Sequence, residues 1–373
     1  MSRKNPAGNI LSLFILLAVL CGSMGLWAYN EYRNEKIPTE KSSPVPDGVP
    51  VIEWNEENSK ESFAILKSYL SDTEPTIAVK NGNTLSWEDI CWDNFWVKSF
   101  KVTIPEKSDY KIYHFYYLDD ADENEQMQNL VEKEADNIIK AIPASAENDD
   151  WEKLLFIHDE LVRRTEFVND DENQHVHDIY GALVEHKAVC QGYTYAMTYL
   201  AVKAGIESTE LYSKEHTWNK FPSLSSGEKY TDVTWDDLGK SDENGEPYIL
   251  HDFFCITKSE MESLDEHKPE DDRDVDEKDT SPGDNYYKKM GYYIAEGDKL
   301  GFKACVMEQF KNGKNVIEIR FESKDDYNNA KEWMTEALGE LEYYNAYYVL
   351  KRDELNIYSA GLYPAAEDIE AES

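Results

Sequence analysis

Three residues of this 373-residue chain have the types and surroundings that thiol chemistry needs. Cys190 opens a run in which Tyr193, Met197, Leu200 and Ala201 recur at helical spacing, and Gly205 stops the pattern. A cysteine in the first turn of a helix meets unpaired backbone N–H groups and the positive end of the dipole, and both favour a thiolate. Gly192 and Ala196 keep the same face small, which would admit a substrate or allow close packing. His216 to Phe221 reads as a strand, Pro222 to Gly227 as a polar turn, and Glu228 to Trp235 as a second strand. With the hairpin centred on Leu224, His216 lies directly across from Asp232, with Cβ atoms about 5 Å apart on one face. A carboxylate so placed can orient an imidazole, whereas a one-residue slip would send the two side chains to opposite faces. Singly, Cys190 is most simply a buried structural cysteine, and the His–Asp pair a cross-strand contact on a wet surface. Jointly the three supply a nucleophile, a base and an orienter.

The elements that must position them can be read on either side. Met127, Leu130, Val131, Ile138, Ile139 and Ile142 mark one face of a helix that stops before Pro143. A second helix starts near Asp149 and Asp150 and buries Trp151, Leu154, Leu155, His158, Leu161 and Val162. His158, alone on that face, reads as a hydrogen-bonded core histidine. Upstream, Val51 to Trp54, a helix capped by Ser59, and strands Thr76 to Val79 and Tyr110 to Tyr117 make a small α/β module. Downstream, Asn315 to Glu322 alternates as a strand, and Ser323 caps a helix with Asp326 three residues on. Ala346 to Leu350 and Asn356 to Leu362 close the chain as strands. Ser59-Lys60-Glu61 set against Ser323-Lys324-Asp325 hints that the two end modules are related.

The stretch that holds the three residues resembles the transglutaminase-like superfamily in its bacterial surface branch. The matching motifs are Cys190-Gln191-Gly192-Tyr193, His216-Thr217-Trp218-Asn219 and Asp232-Val233-Thr234-Trp235-Asp236-Asp237. Tyr180-Gly181-Ala182-Leu183-Val184, the helix Ile157 to Val162, and Asp252 to Ile256 as a following strand extend the likeness over residues 121 to 262. Thr194 stands where many relatives have alanine. The resemblance implies an α+β fold with a papain-like core, a Cys-bearing helix packed on an antiparallel sheet. It implies Cys190 as nucleophile, His216 as general base and acid, and Asp232 as its orienter. The Cys190 backbone N–H would serve as one oxyanion donor, with Tyr180, His175 and His177 as positional candidates for the second. The expected reaction is acyl transfer from a peptide or glutamine carboxamide, by hydrolysis or cross-linking, with no cofactor. His175-Val176-His177 with Asp178 also invites a metal reading, but no third cluster completes such a site. The alternative is a non-catalytic surface adhesion or scaffold protein that retains the fold.

Composition narrows the partners. Lys and Arg number 38 against 75 Asp and Glu, a net charge of −37 that disfavours nucleic acid. The five cysteines contain no CxxC pair, which excludes zinc-ribbon and thioredoxin-like motifs; one disulfide among Cys91, Cys255 and Cys305 is left open. Arg3 and Lys4 precede an apolar run from Ile10 to Tyr29, long enough as a helix to span about 30 Å of hydrocarbon. It reads as a membrane anchor in preference to a cleaved signal peptide, with the body outside the cell. The expected organisation is therefore an anchor over 1–30, a Pro-rich tether over 31–50, a module over 51–118 and a transglutaminase-like domain over 119–265. An acidic linker over 266–283 and a second module over 284–373 complete it. Protein or peptide substrates at the cell surface or cell wall are the expected partners.

Overall fold

The computed structural model describes residues 45–364 except 87–88, 91–92, 106–107, 119, 170–172, 243, 270–284 and 341–343. The expected anchor, most of the tether and of the acidic linker, Cys21 and Cys91 lie outside the described residues. What is described is a mixed α+β structure with five sheets among the described residues. None of its helices is long and apolar enough to cross a membrane.

The first and last sheets share one topology. In the first, strands Val51–Glu53, Thr76–Lys80, Val97–Thr103 and Tyr110–Tyr117 lie in the order first, second, fourth, third. In the last, Tyr293–Ile294, Val316–Phe321, Tyr344–Arg352 and Ile357–Pro364 lie in the same order. In each, the first pair is parallel and the remaining pairs are antiparallel. Parallel neighbours need a crossover connection, and a 13-residue helix supplies it in both: Ser59–Ser71 and Lys299–Lys311. The short sequence likeness therefore matched the wrong helices. The helix that follows Ser323, Lys324–Leu338, is an insertion between the second and third strands. Ser323 does cap it, accepting from the N–H groups of Asp325 and Asp326, while Asp326 turns away to accept the Gly297 N–H. Ser59 is the first residue of its helix, and the N-cap position belongs to Asn58.

Between these sheets sits the part that carries the motifs. Helices Ala121–Ala141 and Asp150–Arg164 are each started by an aspartate, Asp120 and Asp149, whose side chain accepts two first-turn N–H groups. Helix Cys190–Lys203 is buried on most of its circumference, as a helix enclosed by other elements must be. It packs on an antiparallel sheet of Thr209–Tyr212, Thr217–Leu224 and Gly227–Thr231. Away from that sheet, Gly192 lets the helix approach the 176–188 segment closely: a Cβ there would sit 2.6 Å from the Val176 carbonyl oxygen and 2.9 Å from the Ala188 Cβ.

Two expectations fail here. The hairpin is not centred on Leu224: Phe221 faces Lys229 and Lys220 faces Tyr230, with a shift in register before Leu224 meets Gly227. The turn is Ser225-Ser226, and the second strand ends at Thr231 because Asp232 leaves it to cap the helix Val233–Asp236. The error is a slide of two residues, which preserves the face on which each side chain lies. Asp252 to Ile256 is also not a strand. It makes one bridge, Tyr230 to Ile256, and Cys255 has a left-handed φ of 52°.

The last sheet is joined to the central part by buried polar contacts. Glu318 accepts from the His251 backbone N–H and from its ring Nδ1, each at 2.8 Å. Arg352 pairs with the fully buried Asp252 at 2.9 Å, and the Tyr287 hydroxyl donates to the same carboxylate at 2.8 Å. A buried carboxylate that loses its partner costs far more than a surface pair. Arg352→Ala should therefore lower unfolding stability by roughly 3–5 kcal/mol in urea titrations. Lys303→Ala, which removes the exposed pair with Glu340, should change it by less than about 1 kcal/mol.

Candidate functional site

The start of the Cys190 helix is fixed from both sides. Lys187–Ala188 pairs in parallel with Glu166–Phe167, and the Val189 N–H is held by the Val176 carbonyl at 2.9 Å. Val189 then takes the N-cap position in extended conformation without a side-chain cap, so Cys190 is the first helical residue. Its first-turn N–H groups are not claimed by a capping side chain, which is the setting an oxyanion or a thiolate would use. Cys190 is 6% exposed.

His216 precedes the strand Thr217–Leu224 and is clamped by Ser213. The Ser213 hydroxyl accepts the His216 N–H at 3.1 Å, and the Ser213 N–H donates to the His216 carbonyl at 2.9 Å. Its Nε2 lies 2.6 Å from Asp232 Oδ2. Cys190 is near enough to the ring to favour its charged form. Burial alone would lower the His216 pKa, but the Asp232 charge and hydrogen bond, with Cys190 adding to them, raise it to about 10. Burial works against the Asp232 carboxylate too, yet the His216 charge and hydrogen bonds from two imidazoles hold it well below the usual range.

The second imidazole is His267. It is fully buried, and its Nε2 lies 2.7 Å from Asp232 Oδ2. It ends the short helical turn Asp265–His267, within the span expected as a linker. Asp232 Oδ1 accepts the N–H groups of Thr234 and Trp235 at 3.0 and 3.2 Å. The same carboxylate thus caps a helix and binds two histidines. Trp235 and Trp218 roof the cluster: their rings lie 5.9 and 6.1 Å from the His216 ring, and 4.8 and 5.1 Å from that of His267.

The remaining motif residues hold these elements in place. Asn219 donates to the Thr194 carbonyl at 3.0 Å and the Thr198 hydroxyl at 2.9 Å. Thr194, the departure from the family pattern, donates in return to the Thr217 carbonyl at 3.1 Å, tying the cysteine helix to the histidine strand. Asp236 accepts the Phe253 N–H at 3.1 Å and faces His158 Nε2 at 3.2 Å. His158 is a fully buried, hydrogen-bonded core residue, as read, with Asp159 on its other nitrogen at 3.0 Å. Asp237 accepts from the Tyr193 hydroxyl at 2.5 Å.

Of the positional candidates for a second oxyanion donor, His175 lies 2.8 Å from Asp178, whose other oxygen accepts the Tyr180 and Gly181 N–H groups. The contacts of Val176 with Val189 and Gly192 set this segment beside the helix start. Two groups of described residues carry ligand atoms within 4.8 Å of one another, His158/Asp159/His251 and His216/Asp232/His267; neither includes the His175–His177 pair. In the first group every ring nitrogen is hydrogen-bonded to a carboxylate, and in the second the Nε2 atoms of both histidines are bonded to Asp232 Oδ2. Cys190, Cys255 and Cys305 form no disulfide with one another.

Comparison with known proteins adds little to this geometry. No family model matches the chain, and no curated protein does. Among solved structures, a crystal structure of a TGase is 14% identical with a TM-score of 0.25, over 53% of this chain and 62% of that one. A crystal structure of menin is 13% identical with a TM-score of 0.26, over 60% of this chain and 47% of that one. A structure of a putative protease from Parabacteroides distasonis is 13% identical with a TM-score of 0.18, over 43% and 42%. The chain thus covers less than two thirds of each of these three structures, and at such scores the geometry of the site itself carries the functional argument.

Proposed function

We propose that this chain is a cysteine-type acyl-transfer enzyme with a transglutaminase-like, papain-like core. In this reading the segment Ile10 to Tyr29 tethers it to a membrane, and its body acts outside the cell on peptide or glutamine carboxamides. One observation carries the reading: a buried imidazole bonded at 2.6 Å to a carboxylate, with a helix-initial cysteine near enough to favour its charged form.

The chemistry follows from the placement. With its pKa raised to about 10, His216 already holds the proton at neutral pH, and the Cys190 sulfur attacks the carbonyl carbon as the thiolate. The negative charge that develops on the carbonyl oxygen is met by the Cys190 N–H at the helix start. His216 gives its proton to the leaving amine as the C–N bond breaks. A thioester remains. Water or a second amine then adds to it, giving up a proton to His216, and the thiolate is regenerated. Asp232 holds the ring and balances its charge throughout.

The thiols give an internal comparison. Burial pushes the Cys305 thiol up to about 11, so it should resist alkylation at neutral pH. Iodoacetamide should label Cys190 at least about tenfold faster than Cys305, as read by peptide mass spectrometry. His216→Ala should abolish that advantage at neutral pH and recover label only as pH rises. Because the raised pKa keeps His216 charged until pH passes through about 10, the wild-type rate should hold from neutral pH to about 9. Equal labelling of the two thiols would overturn the reading. The reaction itself is tested on surface protein extracts incubated with wild type and with Cys190→Ala. Deamidated, cleaved or isopeptide-linked products should appear only with wild type; identical outcomes for both chains would favour the adhesion protein instead. For the tether, deletion of residues 1–30 should move the chain from the membrane pellet to the soluble fraction.

A further inference from the structure

We propose that His267 is a positioning member of the Cys190–His216–Asp232 group, donating from Nε2 to the carboxylate oxygen that His216 uses and so fixing the orienter itself. The inference rests on the acyl-transfer reading of that site.

Three observations lead to it. The first is hydrogen-bond bookkeeping. Asp232 Oδ2 accepts from His216 Nε2 at 2.6 Å and from His267 Nε2 at 2.7 Å, and a carboxylate oxygen can only accept from each. His267 is therefore the tautomer with its proton on Nε2. The second is the cost of the ring. His267 Nδ1 is buried without a hydrogen-bond partner, which is unfavourable for a polar atom in an apolar setting. The third is that setting. The ring is stacked on Phe253 at 5.5 Å and edged by Trp218, Trp235 and His216 at 5.1, 4.8 and 5.1 Å. A phenylalanine would fill such a cage without a stranded nitrogen, so packing alone does not account for a histidine. The donor to Asp232 does.

The charges around it assign the two imidazoles different states. The titratable and charged groups facing His267 are Asp232, His216 and the adjacent Glu266; the Arg352 guanidinium lies beyond the Trp235 and Phe253 rings. Burial and the neighbouring His216 charge hold His267 below its ordinary pKa, against the pull of Asp232. One carboxylate thus serves a cationic ring and a neutral one. The neutral ring restrains the carboxylate without competing for the proton that His216 must move.

The test uses alkylation of Cys190 by iodoacetamide, measured on the full chain from about pH 6 to 10, with thermal unfolding in parallel. His267→Phe should slow labelling near neutral pH by about tenfold, and the donor it takes from the buried Asp232 carboxylate should also lower the unfolding temperature. His267→Gln, which returns an N–H donor but packs worse, should recover part of the rate at a lower unfolding temperature. A purely structural role predicts the opposite order: Phe at the wild-type rate, Gln impaired. Wild-type labelling in the Phe variant, or Gln as slow as Phe, would overturn the proposal. If the Phe chain does not fold, His267→Met is the second variant without a donor, and it should be slow relative to Gln; Met labelling as fast as Gln would overturn the proposal. His216→Ala separates the two readings. If it is slow while His267→Phe is not, only the role of His267 fails; if it too labels at the wild-type rate, the acyl-transfer reading fails with it.

Discussion

A carboxylate removed from water is stable only when its lone pairs are met, and Asp232, 1% exposed, is met by four N–H groups. Two come from the helix it starts and two from imidazoles brought by distant segments. The surrounding architecture can be understood as what is required to deliver those donors. The strand must end at Thr231 so that Asp232 can turn out of it, and the helix Val233–Asp236 must begin there to present its N–H groups. The His216 strand must lie beside the one that ends there. That strand is in turn held to the cysteine helix through Thr194 and Asn219. Displacing any of these would leave a buried charge short of a partner, so the position of Cys190 relative to His216 is tied to the stability of the core.

A second polar chain lies behind the first. Asp236 faces His158, His158 faces Asp159, Asp159 faces His251, and His251 faces Glu318 on the last sheet. Arg352 from the same sheet reaches Asp252 and covers the Phe253 ring, on whose other contacts His267 depends. The last sheet is therefore part of the support of the site. The shared strand order of the two end sheets describes how each folds; the buried Glu318 and Arg352 describe what the last one does for its neighbours.

Much of this was readable in the chain because it depends on local rules. A cysteine at the head of an apolar helical pattern, aspartates before two amphipathic helices, and a lone histidine among apolar neighbours each signal their own place. The side of the hairpin on which His216 and Asp232 lie also follows from alternation, which survives a slide of two residues. The exact pairing did not follow, because the turn sits one step beyond Leu224 and the register shifts near it. Asp252 to Ile256 looked like a strand by composition, but its backbone turns to meet Asp236 and Tyr230 instead. His267 could not be read at all. It stands among acidic residues at the edge of a charged stretch, with no periodicity to mark it as buried, and only tertiary packing brings it to Asp232.

The order in which these supports occur along the polypeptide has a kinetic consequence. Cys190, His216 and Asp232 all precede Glu318 and Arg352, and the pairs that anchor the last sheet span 67 and 100 residues. Contacts so far apart in sequence form late, after much chain entropy has been surrendered. During synthesis, then, Cys190 and His216 emerge well before the segments that brace them. Their arrangement with Asp232 is fully supported only after the segment carrying Arg352 has been made, a built-in delay between making these side chains and fixing them.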